Sequence, residues 1–293
     1  MENNGPGFQR LPPWLKRPLS YGEGMNRLQN LLRELNLHTV CESARCPNIS
    51  DCFSKGTATF MISGDVCTRR CGFCAIPQGR PLPLEASEPE HLAEAVKKMK
   101  LRHVVITSVA RDDLRDGGAG QFAKVIKAVR QWVPSIVIEV LIPDFRGSEE
   151  HLEKVISENP NILNHNIETV PRLYSHVRPQ ARYERSIELL KNVKEKKETI
   201  LTKSGLMLGL GETKSEVREV LLDLRKASCD MLTMGQYLQP VSERLRVIEF
   251  IHPDQFKQYE EEAYEMGFSS VASGPFVRSS YHAERTYVSL FAS

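Results

Sequence analysis

The chain has 293 residues, 41% of them apolar and 26% charged, with a formal net charge of +2. This balance excludes a disordered or collagen-like polymer, and it provides no concentrated basic field for bulk nucleic-acid binding. No apolar run approaches the length of a membrane span, so a globular protein with a real core, acting on neither membrane nor nucleic acid, is expected.

The first residues, MENNGPGFQRLPPWLKRPL, contain no apolar h-region and are too proline-rich and serine-poor for a transit peptide. The expectation is a cytoplasmic protein in a reducing compartment, where clustered cysteines serve as metal ligands or catalytic groups more often than as disulfides. Cys41, Cys46 and Cys52 follow, spaced C-x4-C-x5-C. The run Thr57–Ile62 predicts a first strand, and behind it Cys67, Cys71 and Cys74 are spaced C-x3-C-x2-C.

Further along, the apolar runs His103–Thr107, Ile136–Ile142, Asn161–Ile167, Ile200–Leu210 and Met231–Met234 predict five more strands. Helical spacing separates them. Phe122, Val125, Ile126, Val129 and Trp132 share one face, as do Val217, Val220, Leu221 and Leu224, with a weaker pattern at Leu92, Val96 and Met99. The lysines of Lys191–Lys203 read as a solvated helix face. Strands alternating with helices imply βαβ units and a parallel sheet, either a six-unit open barrel or a doubly wound sheet. In both, working loops lie at the carboxyl ends of strands, which places the Cys67–Cys74 loop at the working face. The expected organisation is an extension over 1–54, a core over 55–240 and a second extension over 241–293, both extensions wrapped on one core.

Each cysteine group offers three thiolates. Structural zinc wants four N/S ligands, usually from two C-x2-C knuckles, and no histidine sits nearby at ligand spacing. A four-iron cubane held by three cysteines keeps one iron open for a substrate, a cofactor or an unusual ligand. Arg69 and Arg70 would partly offset an anionic cluster, and Phe73 reads as a loop anchor or cofactor contact. The lone Cys229 reads as a buried small hydrophobe. Gly209-Leu-Gly211-Glu212 is half of a dinucleotide fingerprint, without its third glycine.

C-x3-C-x2-C after the first strand of a six-unit βα core resembles the radical S-adenosylmethionine superfamily, whose core is a partial (βα)6 TIM-like barrel. The upstream C-x4-C-x5-C, the KRPL and Pro-Pro-Trp-Leu-Lys lead-in, TSVARDDLRDGGA (Thr107–Ala119), NHNIETV (Asn164–Val170) and RSSYHA (Arg278–Ala283) resemble the lipoyl synthases. The likeness runs from about Trp14 to Ala283.

The resemblance implies that Cys67, Cys71 and Cys74 hold a 4Fe–4S cluster whose open iron binds S-adenosylmethionine, reduced to give a 5′-deoxyadenosyl radical. It implies that Cys41, Cys46 and Cys52 hold a second, auxiliary 4Fe–4S cluster consumed as sulfur donor, with Ser279 or Ser280 as fourth ligand and the pattern favouring Ser280. Thr107, Ser108, Asp112 and Asp113 would meet the methionine amino group, Asn166 and Glu168 the ribose, and Arg178 the methionine carboxylate. A glycine of the Ile200–Leu210 strand region would let adenine approach the backbone.

The implied activity is insertion of two sulfur atoms at C6 and C8 of an octanoyl-lysine on a lipoyl carrier protein, a lipoyl domain or H protein. A ferredoxin or flavodoxin reductant and an iron–sulfur carrier for cluster repair are implied as partners. The lysine run could also receive the carrier. The competing readings are another two-cluster radical enzyme, such as a methylthiotransferase or biotin-synthase-like protein, and a non-catalytic zinc module. The upstream triplet and RSSY argue against the first pair.

Overall fold

The computed structural model describes residues 10–16, 23–288 and 290. Residues 1–9 and the Arg17-Pro18-Leu19 part of the KRPL lead-in lie outside the described residues. In chain order the elements are α1 (Glu23–Glu34), β1 (His38–Thr39), α2 (Val40–Ser43), α3 (Ile49–Ser54), β2 (Thr59–Ile62), α4 (Glu88–Lys98), β3 (His103–Ser108) and α5 (Ala119–Trp132). There follow β4 (Val137–Leu141), α6 (Glu149–Ile156), β5 (Ile162–Asn164), α7 (Tyr174–Val177), α8 (Tyr183–Lys196), β6 (Leu201–Leu208) and α9 (Lys214–Lys226). The chain closes with β7 (Met231–Gln236), α10 (Pro253–Glu265), β8 (Ser270–Gly274) and α11 (Ala283–Val288).

The strands form one sheet in the order β1 to β8. β1 pairs antiparallel with β2 and every other pair is parallel. Among the described residues no ladder joins β8 back to β1 or β2, so the barrel is partial. The six predicted runs became β2 to β7. Every residue of β2 and β7 is buried, the pattern expected of parallel strands covered by helices on one face and by barrel contents on the other.

The helices sit where their apolar spacing requires. α5 buries Phe122, Val125, Ile126 and Val129. Trp132, expected on that same face, instead lies at the rim, 40% exposed, with its indole N–H donating to Glu90 Oε2 at 3.0 Å. α9 starts in a reciprocal cap in which the Thr213 hydroxyl accepts from the Glu216 N–H and the Glu216 carboxylate accepts from the Thr213 N–H. Leu28 and Leu32 of α1 and Phe256 and Tyr259 of α10 join the same hydrophobic core as the strands.

The lysine run divides. Its first members lie on α8, but Lys203 is 1% exposed inside the barrel, 2.8 Å from the Glu139 carboxylate, which is also bonded to His103 and Asn164. Burial alone would raise the Glu139 carboxyl, but Lys203 and His103 pull it down to about 2. A lysine at a strand interior reads as solvated unless its buried partner, 64 residues away, is known. No helix among the described residues is long and apolar enough to cross a membrane.

Candidate active site

The Cys67–Cys74 loop leaves β2 and is pinned on three sides. Thr68 donates from its N–H and its hydroxyl to the Ala110 carbonyl at 3.1 and 2.8 Å, tying the loop to the segment after β3. The Gly72 N–H donates to the Val177 carbonyl at 2.9 Å and its own carbonyl accepts from Leu245 at 3.0 Å. A Cβ on Gly72 would meet the Leu245 side chain at 2.9 Å, so a larger residue there would have to displace that side chain. The Cys67 sulfur accepts from the backbone N–H groups of Arg69 at 3.4 Å and Ala110 at 3.3 Å.

The upstream triplet is built from two short helices. Cys41 lies on α2, whose Thr39 cap accepts from the Glu42 N–H, and Cys52 lies on α3. The Cys46 N–H donates to the Cys41 carbonyl at 3.0 Å, folding the intervening loop back on its start. The buried Asn48 amide donates to the Phe276 carbonyl at 2.7 Å and so binds this loop to the C-terminal RSSY segment.

That segment is fixed at three further points. β7 admits the Val277 carbonyl against Gly235, where any Cβ would overlap it. The Asn166 amide donates to Ser279 Oγ at 2.7 Å, and the Thr59 hydroxyl donates to Ser280 Oγ at 2.7 Å. Thr59 opens the strand that pairs with β1, just ahead of Cys41, and lines the cavity with it. Ser280 is therefore tied to the strand end beside Cys41, whereas Ser279 faces Asn166.

Five of the six clustered cysteines open on one cavity of about 660 Å³, lined by Cys41, Cys46, Cys67, Cys71, Cys74 and both serines. Burial pushes the Cys41 thiol up to about 12, reinforced by the nearby Cys46 and Cys52, against an opposing pull from the polar groups of Thr59. Cys74 is likewise pushed to about 12 by burial, with Cys71 and Cys67 adding to it; burial also raises Cys71, against the pull of Arg178. The thiols of each triplet also raise one another, and their burial means that a cationic partner such as a metal ion would be needed to draw out the thiolates. Among the described residues no three His, Cys, Asp or Glu side chains are close enough to hold a single metal ion. The remaining wall supplies buried polar atoms without partners, namely Ser108 Oγ, Asn166 Oδ1 and Arg178 Nε, which suit a polar ligand.

Of the cofactor-facing residues expected from sequence, Phe73, Thr107, Ser108, Asn166, Glu168 and Arg178 line the cavity. Phe73 packs beside Val177, Tyr237 and Val247, which makes it an anchor as well as a wall. Thr107 Oγ1 donates to the Leu141 carbonyl at 3.0 Å. Glu168 holds a left-handed backbone, φ 68°, and burial raises its carboxyl despite Arg178 and Asn166. The Arg178 Nη1 donates to the carbonyls of Asn166 and Ile167 and to the Tyr174 hydroxyl, leaving Nε unpartnered.

Asp112 and Asp113 are not brought to the cavity wall. Asp113 forms a two-bond pair with Arg111 at 3.0 and 2.9 Å. Asp112 pairs with Arg69, whose guanidinium also meets Asp144 at 2.5 Å. The charge of Arg69 is thus matched within the protein, and Arg70 is exposed. Cys52 stands outside the lining although it is coupled to Cys41. The Gly209–Glu212 step is closed rather than open: the Glu212 carboxylate accepts from the Gly209 and Leu210 N–H groups. Gly205, earlier on β6, is the glycine of this strand that lines the cavity, and a Cβ there would meet Asn166 Oδ1 at 2.7 Å. Cys229 is fully buried. Thr59, His165, Gly205 and Gly235 line the cavity with no spacing signal to announce them.

The family model described as Radical SAM superfamily matches residues 61–224, and that described as the N-terminal domain of lipoyl synthase of the Radical_SAM family matches residues 2–46. The lipoyl synthase of Caldanaerobacter subterraneus subsp. tengcongensis is 56% identical over 276 residues, covering 94% of this chain and 96% of that protein. The lipoyl synthase of Chromobacterium violaceum is 56% identical over 274 residues, covering 93% and 87%. Two solved structures share the fold at low identity. The peptide-bound SuiB of Streptococcus suis has a TM-score of 0.55 at 11% identity, covering 82% of this chain and 49% of that one. A methylornithine synthase has a TM-score of 0.51 at 16% identity, covering 78% and 69%.

Proposed function

The chain belongs to the lipoyl synthase family of the radical S-adenosylmethionine superfamily, and we propose that its two cysteine triplets divide the work of that sulfur-inserting enzyme between them. The family uses 4Fe–4S chemistry and S-adenosylmethionine. Cys67, Cys71 and Cys74 would hold the cluster that supplies an electron to S-adenosylmethionine, while Cys41, Cys46, Cys52 and Ser280 would hold the one that supplies sulfur. The substrate would be an octanoyl-lysine on a lipoyl carrier protein, converted at C6 and C8.

The chain's own residues orient and exclude. The N–H groups of Arg69 and Ala110 steady the Cys67 sulfur. Ser108 Oγ, Asn166 Oδ1 and Arg178 Nε offer a donor-and-acceptor set for the amino acid and ribose parts of the cofactor. Gly205 gives flat backbone for the adenine to approach. Val109, Met61 and Ile76 supply an apolar wall that would limit water at the reacting part of a bound cofactor. The core of 55–240 carries the first site, and the two extensions converge on it to make the second. The protein would work in the cytoplasm with a ferredoxin or flavodoxin as reductant, and with an iron–sulfur carrier to restore what is consumed.

One observation carries this reading: Cys41 and Cys46 of the upstream triplet, all three cysteines of the second and both RSSY serines face a single cavity. In anaerobic assays, Cys46→Ala is expected to retain reductive cleavage of S-adenosylmethionine and lose sulfur insertion, whereas Cys71→Ala loses both. Two cubanes also require about eight irons and eight sulfides per chain. Zinc without sulfide, or lipoyl product from Cys46→Ala, would overturn the reading.

A further inference from the structure

Building on the reading that the upstream triplet and Ser280 hold an auxiliary cluster, we propose that Thr59 is a positioning residue that sets Ser280 for ligation. Thr59 opens β2, in register with Val105 of β3, and is 5% exposed. Its β-branched side chain has few rotamers to choose from, so its hydroxyl is a fixed point. That hydroxyl donates to Ser280 Oγ at 2.7 Å across 221 residues of chain, and Thr59 lines the same cavity as Cys41 and Cys46. Ser280 itself sits in a half-buried turn, where a serine has three staggered positions open to it. The bond from Thr59 selects the one that keeps its oxygen on the Thr59 side of the cavity that Cys41 and Cys46 line. A hydroxyl has a single proton to give, and in this structure it is given to Ser280.

The test uses the full-length chain with Cys67, Cys71 and Cys74 replaced by alanine, so that only the upstream triplet binds iron. After anaerobic reconstitution with iron and sulfide, loss of iron to a chelator is followed by absorbance. Thr59→Val keeps the shape and removes the donor, and is expected to lose iron about two- to tenfold faster, the worth of one hydrogen bond. Thr59→Ala is expected to behave the same way, and Thr59→Ser to restore the parent rate. In a Ser280→Ala background, Thr59→Val is expected to add nothing, because its effect runs through the serine. A parent-like rate for Thr59→Val, or the full acceleration persisting without Ser280, would overturn the positioning role. A parent that takes up no iron with sulfide would instead overturn the two-cluster reading beneath it.

Discussion

Asn166 donates to Ser279 Oγ at 2.7 Å, and the very next residue, Ser280, accepts from the Thr59 hydroxyl at the same distance. Two adjacent serines are thus divided between the two halves of one cavity. Ser280→Ala is expected to deplete iron and sulfide at the upstream triplet and abolish lipoyl product. Ser279→Ala is expected to keep the iron while weakening S-adenosylmethionine binding several-fold, since it removes a partner of Asn166. Metal and sulfide analysis with a binding titration checks both, and the reverse pattern would exchange the serines' roles.

Gly235 is the gate for this arrangement. A Cβ there would overlap the Val277 carbonyl, a backbone atom that can yield only if the RSSY segment moves. Gly235→Ala is expected to destabilise the chain by about 1–3 kcal/mol and to lower iron at the upstream triplet, as judged by urea unfolding and metal analysis. A variant with parent-like stability and iron would show that the segment is not held by this contact.

The Cys67–Cys74 loop depends on a buried charge network. Asp144, with a fully buried side chain, meets Arg69 at 2.5 Å and Arg185 at 3.1 Å. Burial would raise its carboxyl, but Arg69 holds it well below the usual carboxylate range. Asp144→Ala leaves a buried guanidinium half paired and is expected to cost about 3–5 kcal/mol in urea unfolding of the iron-free chain. A cost below about 1 kcal/mol would mean that Asp112 alone suffices for Arg69.

His165 lines the cavity, bonded to the Ile142 carbonyl at 2.8 Å and to the Ser186 hydroxyl at 3.0 Å. Burial, aided by the Arg178 charge, pushes its imidazole down to about 4. The unfolded imidazole takes a proton near pH 6.5, so between about 4 and 6.5 the unfolded state binds the extra proton. Stability from this group is complete above about pH 6.5 and is lost as pH falls through about 4. Urea midpoints of the iron-free chain are expected to fall more steeply over that window than those of His165→Gln. Equal slopes would remove His165 as the cause.

Much of this was legible in the chain because the signals are local. Six strands followed from short apolar runs, and the cysteine spacings named the chemistry. β1 escaped because it has two residues, and β8 because Ser270-Val-Ala-Ser-Gly274 is made largely of small residues. Asp112 and Asp113 read as cofactor contacts, since a sequence does not show that Arg69 and Arg111 are folded back onto them. Lys203 read as solvated for the same reason. Thr59 and Gly235 had no local signal at all; each matters through a contact with the far C-terminal segment, which only the fold brings near.

The claim at the centre is that the upstream triplet supplies the sulfur. It is tested most directly by reconstituting the protein with heavy-isotope sulfide, incubating it anaerobically with reductant, S-adenosylmethionine and an octanoylated carrier peptide, and weighing the product by mass spectrometry. The account predicts a peptide that gains two heavy sulfur atoms with its hydrogen count unchanged, as the dithiol, with none formed by Cys46→Ala. Product carrying only light sulfur from solution, or octanoyl peptide returned unchanged, would contradict it.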